Sequence, residues 1–469
     1  MVVDKDGHHF HFVGICGTAM GAVAAAMKDR GCVVSGSDEH VYEPMSTFLE
    51  EKGITIKEGY AAENIPLQAD TVVIGNAMSR GNPEVEAVLE RRLPYTSLPQ
   101  LLKDEFLLGR RNMVVTGTHG KTTTASMLAH LLQSCGLDPG YMIGGIARDL
   151  GQGCRFSDSE FFVLEGDEYD TAFFDKRSKF VHYLPEVVII NNIEFDHADI
   201  FEDINAIKKS FRNMLNIVPR NGVVFVNGDD ADALDVVAGC HAQVLRVGFD
   251  DQCERRITDL EYSPGCSRFT VAGIRCEITM DGEFNVRNAA MALCAACFAG
   301  IEEEQITGSL AEFSGVARRQ ELRGEEGGVK VIDDFGHHPT AIRATLGAIR
   351  QRHPESRIWA LFEPRSNTSR RNLMQDDLVD SLSGADGIFV CPVIDGGKVP
   401  EGQLLDVEAV VRSIGQSGRM AFTEPGADAI VERLQLLAEP GDVVVVLSNG
   451  GFDGIHAKLL GALRQGEDQ

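Results

Sequence analysis

Hydrophobic and polar positions recur along this chain in one order: a short apolar run, a break at glycine or asparagine, then apolar residues at helical spacing. Residues 9–27, HFHFVGICGTAMGAVAAAM, predict a strand, a turn at Gly14 and Gly17, and a helix of small residues. A second strand ends in VVSGSDEH with Asp38 at its tip, and DTVVIGNAM leads into SRGNPEVEAVLERR, where Asn82-Pro83 turns the chain into a helix. The run MVVTGTHGKTTT passes from a strand into the helical pattern TTTASMLAHLLQS. FFVLEGDEYDTAFF, EVVIINNIEFDHADIF and VVFVNGDD follow as strands, with more over 255–280, and GEFNVRNAAMALCAAC begins a helix. Asp199 and Glu202 suit caps of the helix after EVVIINNIEFDHADIF, and capping accounts for one of Asn285 and Asn288. FSGVARRQELRGEEGG reads as a linker over 314–328, after which KVIDDF, RIWALFEP, GIFVCPVI and DVVVVLSNGG renew the alternation. The pattern predicts an α/β protein of three domains, 1–109, 110–316 and 317–469.

Composition narrows the functions open to such a fold. With 44 Lys and Arg against 70 Asp and Glu, the formal charge of -26 disfavours nucleic acid and anionic membrane surfaces as partners. Anionic small substrates then need local cationic clusters. No run approaches the roughly 18 to 20 apolar residues of a membrane span, and MVVDKDGHHF lacks the layout of a signal peptide, so a cytoplasmic protein is expected. Eleven cysteines without matched spacing fit reduced thiols, and Cys294 with Cys297 reads as a pair of small buried residues in a helix.

The chemistry concentrates around Gly117 to Thr122. Glycines let backbone N–H groups curl around an anion, the following helix points its positive end at it, Lys121 adds a cation and Thr122 offers a hydroxyl to Mg²⁺. Only Thr118 and His119 separate Gly117 from Gly120, which is shorter than the common phosphate loop. Glu165, with Asp167, Glu168 and Asp170 behind it, and Asp196-His197 each follow a hydrophobic strand, where α/β sheets gather ligands. Near the N-terminus the glycine spacing lacks the third glycine of a plain NAD site, which leaves a diphosphate-binding or helix-packing turn and disfavours an NAD-dependent oxidoreductase.

GICGTAMG, TGTHGKTT, EGDEYD, NNIEFDH, FNVRN, ARRQE and DDFGHHPT, in this order and spacing, resemble the Mur ligase family over nearly the whole chain. Gly166 stands where alanine is commoner, a departure expected to leave the chemistry unchanged. SDEHVYEPMSTFLEEKGI, EYDTAFFDKRSKFVHY, LFEPRSNT and LSNGGFDGIH look like the members that join the tripeptide L-Ala-γ-D-Glu-meso-diaminopimelate to UDP-N-acetylmuramate in peptidoglycan recycling. Members acting on L-alanine in peptidoglycan synthesis usually carry EADESD and DDYGHHP, where this chain has Tyr169 and Phe335; they are the alternative. A folylpolyglutamate-synthase-like ligase is disfavoured by the N-terminal UDP-type domain, and a regulatory nucleotide module by the joint presence of Lys121, Thr122, Glu165 and His197.

The resemblance implies a UDP-binding Rossmann-like domain, a central P-loop ATPase domain and a C-terminal Rossmann-like domain that closes over ATP. It implies amide formation driven by ATP with Mg²⁺ or Mn²⁺, through an acyl phosphate. Lys121, Glu165, His197 and Arg319 are the implied catalytic residues, and Thr122, Glu165 and His197 the implied metal ligands, His197 directly or through a water. Thr118, His119, Gly120, Lys121, Thr122, Thr123, Asn285, Asn288, Arg319, Asp334 and His337 correspond to nucleotide-facing positions. The UDP-sugar falls to Gly17, Thr18, Ala19, Met20, Asp38 and Ser79. For the peptide carboxylates the expectation is Arg365 with Asn367; Lys176, Arg177 and Lys179 are either part of that pocket or a solvated surface run.

Overall fold

The computed structural model describes residues 7–466, apart from 42, 44 and 395–398. The first six residues, and Tyr42 and Pro44 of SDEHVYEP, therefore lie outside the described residues. Three sheets organise the chain. Strands β1 (His9–Val13), β2 (Val33–Asp38), β3 (Thr55–Glu58), β4 (Thr71–Ile74) and β5 (Tyr95–Ser97) form a parallel sheet in the order β3-β2-β1-β4-β5.

The central sheet uses β6 (Arg111–Thr116), β7 (Gly140–Met142), β8 (Cys154–Arg155), β9 (Phe161–Glu165), β12 (Pro185–Ile190), β13 (Val223–Asn227), β14 (Gln243–Gly248), β15 (Arg255–Ser263), β16 (Cys266–Val271) and β17 (Ile274–Ile278), with a small hairpin of β10 (Asp170–Ala172) and β11 (Asp175–Ser178) beside it. Its order is β17-β16-β15-β14-β13-β12-β6-β9-β7-β8. The parallel neighbours β12, β6 and β9 are buried almost throughout, as expected of strands covered on both faces. In the third sheet β18 (Glu321–Glu326), β19 (Val329–Asp334), β20 (Ile358–Phe362), β21 (Gly387–Val390), β22 (Met420–Thr423) and β23 (Val443–Leu447) run in the order β18-β19-β23-β20-β21-β22.

Three local expectations change. The cap of the helix Ile204–Leu215 is Asp203, whose carboxylate accepts from Ala206 N at 2.9 Å, not Asp199 or Glu202. Gly282 caps the helix Glu283–Phe298, so neither Asn285 nor Asn288 is the N-cap; the Asn285 amide instead donates to Asp281 O at 2.8 Å. The linker over 314–328 is shorter than its composition suggests, because Glu321–Glu326 pairs antiparallel with β19 as an edge strand. Charged residues suit an edge, where one side faces water.

The two interdomain contacts differ in kind. A single apolar cluster runs from Phe10, Val23 and Phe106 of the first domain into Val114, Phe162 and Leu164 of the central sheet. The Phe106 and Phe156 ring centroids lie 4.3 Å apart, and the Arg30 guanidinium sits 4.0 Å from the centroid of the Phe106 ring. The apolar clusters of the third sheet, by contrast, contain only residues from Val329 onward. That sheet meets the central domain through polar pairs: Thr368 Oγ1 donates to Asp196 at 2.6 Å and Arg371 to Ala198 O at 3.1 Å.

Phe106→Ala should therefore cost about 3 to 5 kcal/mol, the usual loss for a buried aromatic ring. Hydrogen exchange is expected to accelerate in Leu98–Leu102 and the first sheet while protection of β19, β20 and β23 is kept. Equal loss of protection in all three sheets would show that the interface does not separate the domains.

Candidate active site

Each sheet presents the carboxyl ends of adjacent parallel strands, and the polar residues collect there. After β6 the chain turns through Gly117 to Gly120 into the helix Lys121–Ser134. Gly120 adopts φ +80°, and a Cβ there would lie 2.6 Å from Asn288 Oδ1 and 2.9 Å from Asn191 Nδ2, so glycine is required on two counts. Asn191 and Asn192, just past β12, brace the loop: Asn192 Oδ1 accepts from His119 N at 2.7 Å, and Asn191 Nδ2 donates to Thr124 Oγ1 at 3.0 Å. The helix has no side-chain cap and no acidic residue in its first turn, which leaves its positive end open to an anion.

Lys121 Nζ donates to Gly117 O at 2.6 Å and to both oxygens of Glu168, at 3.0 and 2.9 Å. Glu168 also faces His197 Nε2 at 3.0 Å. Burial by itself would lower the Lys121 pKa, but Glu168, Asp167 and Glu165 outweigh it and the ammonium is held charged. Glu168 shows the mirror image: burial favours the acid, and Lys121 and His197 reverse it. For His197, burial is overcome by Glu168 and Asp196, so its pKa is raised. His197 sits at φ +54°, a left-handed conformation uncommon outside glycine, and its carbonyl accepts from Ile200 N and Phe201 N.

Thr122 Oγ1 donates to Glu165 Oε1 at 2.8 Å, and Glu165 Oε2 accepts from Gly144 N at 2.7 Å. Two oxygens this close, beside the loop, are donors suited to Mg²⁺. Arg319 reaches the same hydroxyl from the far side of the linker, 3.4 Å from Thr122 Oγ1. The residues thus fit a nucleotide triphosphate with its cation: a glycine loop, an uncapped helix end, an ammonium, and an oxygen pair.

The other expected positions are spread over all three domains. Thr118 Oγ1 accepts from Glu194 N at 2.8 Å, and Thr123 is buried in the first helical turn. Asn285 and Asn288 are buried side by side, 3.4 Å apart, with Asn288 against the loop. Asp334 is buried and engaged by Gln320 N at 2.9 Å, Gly336 N at 2.8 Å and Thr345 Oγ1 at 3.2 Å; burial raises its pKa. His337 faces Asp196 at 3.9 Å, and burial lowers its pKa. In the first domain, Asp38 accepts from Cys16 N at 2.8 Å, which ties the tip of β2 to the loop holding Gly17, Thr18, Ala19 and Met20. Ser79 is exposed in the turn after the neighbouring β4.

Arg365, at the end of β20, is half exposed and lies 4.0 Å from Glu363. It rests on Gly450, where a Cβ would collide with the guanidinium. Asn367 is half-buried two residues on. The alternative cations are all engaged: Lys176 by Asp170 at 2.5 Å, Arg177 by Asp175 at 2.7 Å and Lys179 by Asp167 at 2.6 Å.

Sequence reasoning saw Glu168 as one acid in a cluster and gave His197 to the metal beside Thr122 and Glu165; the structure adds a contact between His197 Nε2 and Glu168 Oε1 at 3.0 Å. It missed the support from Asn191, Glu194 and Thr368. The signal available was position, since Asn191 and Glu194 follow β12 as Glu165 ends β9. Gly166 is also more constrained than expected, because a Cβ would meet Thr116 Cγ2 at 2.5 Å and Val114 Cγ1 at 2.8 Å.

This is the frame of a three-domain ligase with a phosphate loop in its middle domain. Residues 9–107 match the Mur ligase family catalytic domain, 115–296 the Mur ligase middle domain, and 318–450 the Mur ligase glutamate ligase domain; the chain belongs to the Mur ligase family. It is 44% identical over 458 residues, 97% of this chain and 98% of its relative, to the UDP-N-acetylmuramate:L-alanyl-gamma-D-glutamyl-meso-2,6-diaminoheptandioate ligase of Escherichia coli (strain K12). To the UDP-N-acetylmuramate:L-alanine ligase of Geobacter sp. (strain M21) it is 34% identical over 465 residues, 98% of each chain. The crystal structure of a murein peptide ligase from Psychrobacter arcticus 273-4 superposes with a TM-score of 0.70 at 35% identity, covering 98% of this chain and 99% of that one.

The pH dependence of stability should carry the signature of His338. Burial first, then the charge of His119, lowers its pKa from the ordinary 6.5 to about 4, against the pull of Asp196 and Glu194. Between those values the unfolded chain binds the proton and the folded chain does not, so stability is lost as pH falls from 6.5 towards 4. Asn retains the acceptor that His338 offers to Thr340 N at 3.3 Å as N-cap of Pro339–Arg352. In urea denaturation across this range, His338→Asn is expected to flatten the slope by up to about 1.4 kcal/mol per pH unit, one proton's share. An unchanged slope would assign the proton uptake to other groups.

Proposed function

We propose that this protein is an ATP- and Mg²⁺-dependent ligase that joins L-Ala-γ-D-Glu-meso-diaminopimelate to UDP-N-acetylmuramate, with Mn²⁺ an acceptable substitute for the metal. In this reading residues 1–109 take the UDP-sugar, 110–316 the nucleotide phosphates, and 317–469 close over the site with the peptide. The protein works in the cytoplasm in peptidoglycan recycling, a setting consistent with eleven cysteines that form no disulfide. No helix among the described residues is long and apolar enough to cross a membrane.

ATP with its metal supplies the phosphoryl group that activates the lactyl carboxylate as an acyl phosphate, and the peptide amine displaces phosphate to form the amide. The chain's part is placement and charge. Lys121 and the N–H groups of its loop neutralise the migrating phosphoryl oxygens, and Arg319 adds a cation from the closing domain. Thr122 and Glu165 would hold the metal, with His197 beside them as a ligand directly or through a water, while Glu168 borders the acyl site and competes with phosphate for the Lys121 ammonium. Asn285, Asn288, Asp334 and His337 line the nucleoside side. On the sugar side, Asp38 and Ser79 flank the diphosphate turn of Gly17 to Met20.

The observation that carries the choice of peptide over L-alanine is Arg365. Lys176, Arg177 and Lys179 are each neutralised by an acid, whereas Arg365 is seated on Gly450 with only a distant carboxylate at 4.0 Å, so it is ready to accept a planar carboxylate. The higher identity to the tripeptide-named relative than to the alanine-named one supports the same choice.

Lys121→Ala should lower phosphate release by about 10²-fold or more, the typical loss of a transition-state donor. Calorimetry with UDP-N-acetylmuramate should show its binding nearly unaltered, because that site lies in another domain. Turnover within a few fold of the parent protein would take Lys121 out of the mechanism.

A second assay separates the two substrates. The tripeptide should be used far better than free L-alanine, and Arg365→Ala should reduce kcat/KM for the tripeptide by about 1.5 to 3 kcal/mol, as for a hydrogen bond to a charged group. Equal use of L-alanine would overturn the assignment, whereas an unchanged kcat/KM would remove only Arg365 from the pocket.

A further inference from the structure

Away from Thr122 and Glu165, the described residues contain a compact set of metal-type donors: one ligand atom each from His119, Glu194 and His338, all within 4.8 Å of one another. The three come from the phosphate loop, the segment after β12 and the N-cap of the helix Pro339–Arg352 in the C-terminal domain. Glu194 Oε2 lies 3.3 Å from His119 Nε2 and 3.3 Å from His338 Nδ1. A tetrahedral ion with bonds of about 2.0 to 2.1 Å sets its ligand atoms roughly 3.3 Å apart, so two edges already have the required length.

The hydrogen bonding around His338 is unresolved without a cation. Its Nδ1 faces both the Glu194 carboxylate and the Thr340 N–H. A proton on Nδ1 sets it against the Thr340 donor; a lone pair there sets it against the carboxylate. Either tautomer leaves one unfavourable contact; a cation on the Nδ1 lone pair neutralises the carboxylate that faces it and displaces only the long 3.3 Å contact with Thr340 N. The ligands are also supported from behind: His119 N donates to Asn192 Oδ1 at 2.7 Å and Glu194 N to Thr118 Oγ1 at 2.8 Å.

We propose that His119, Glu194 and His338 bind a Zn²⁺-like divalent ion, at a site separate from the Mg²⁺ position, that clamps the phosphate loop to the C-terminal domain. Two imidazoles and one carboxylate favour zinc or cobalt over Mg²⁺, which prefers an all-oxygen shell. Three protein ligands leave a fourth position for water or a ligand oxygen.

The test uses the full, metal-free chain in excess Mg²⁺. Calorimetric titration with Zn²⁺ should show one equivalent bound, and Co²⁺ at the same site should give the visible bands of tetrahedral nitrogen and oxygen ligation without near-ultraviolet thiolate charge transfer. His338→Asn, which keeps the helix cap, and Glu194→Gln should each weaken binding at least about tenfold. Circular dichroism establishes which variants fold; if neither does, the Co²⁺ spectrum of the parent chain decides. Absence of binding, a thiolate band, displacement by Mg²⁺, or unchanged affinity in either folded variant would each overturn the proposal.

Discussion

The ion pair between Lys121 and Glu168, 2.9 Å apart and largely withdrawn from water, is the contact on which the site depends. Removing two such charges from solvent costs several kcal/mol for each ion, and the attraction offsets it only when the remaining hydrogen-bonding groups are met. Here they are met, because the ammonium also reaches Gly117 O and the carboxylate also reaches His197. The pair therefore ties together three adjacent strand ends, β6, β9 and β12. Loss of one partner would strand the other, which makes the geometry of the phosphate loop sensitive to an acid 47 residues further along the chain.

The connector between the second and third domains shows how closure can be rigid at one end and free at the other. Arg318 and Gln320 occupy left-handed conformations, at φ +61° and +51°, a strain that persists only where surrounding contacts enforce it. They do: Arg318 donates to the carbonyls of Ser448 and Gly450, at 2.8 and 2.6 Å, and Gln320 N donates to Asp334. The segment is thus woven into the carboxyl edge of the third sheet and travels with it. Arg319, between these two, is the residue turned back towards Thr122. Because Gly450 also seats Arg365, the same few contacts link the linker, the nucleotide side and the proposed peptide side.

The shared apolar cluster between the first and central domains, and the polar contacts of the third, give the two junctions different mechanical character. Apolar contacts are non-directional and cooperative over a broad area, whereas polar pairs can exchange partners with water or ligand. Motion is therefore expected at the C-terminal junction, where Thr368, Arg371 and Arg319 meet the central domain through such pairs.

The alternation of apolar runs and helical periods by itself determined the α/β class, the strand carrying the phosphate loop, and the places where Glu165, Asp38 and Arg365 emerge, since burial periodicity and turn chemistry are local. Local reasoning also located the caps approximately, but chose Asp199 or Glu202 over Asp203 and read an edge strand as linker, because strand pairing is decided by a distant partner. Only the tertiary structure decided that Glu168 bridges Lys121 and His197, that Asn191 and Asn192 brace the loop, that acids neutralise Lys176, Arg177 and Lys179, and that His338 joins His119 and Glu194. Those outcomes depend on which strand ends lie side by side in a sheet whose order is not the chain order, and on the charges that burial forces to find partners across it.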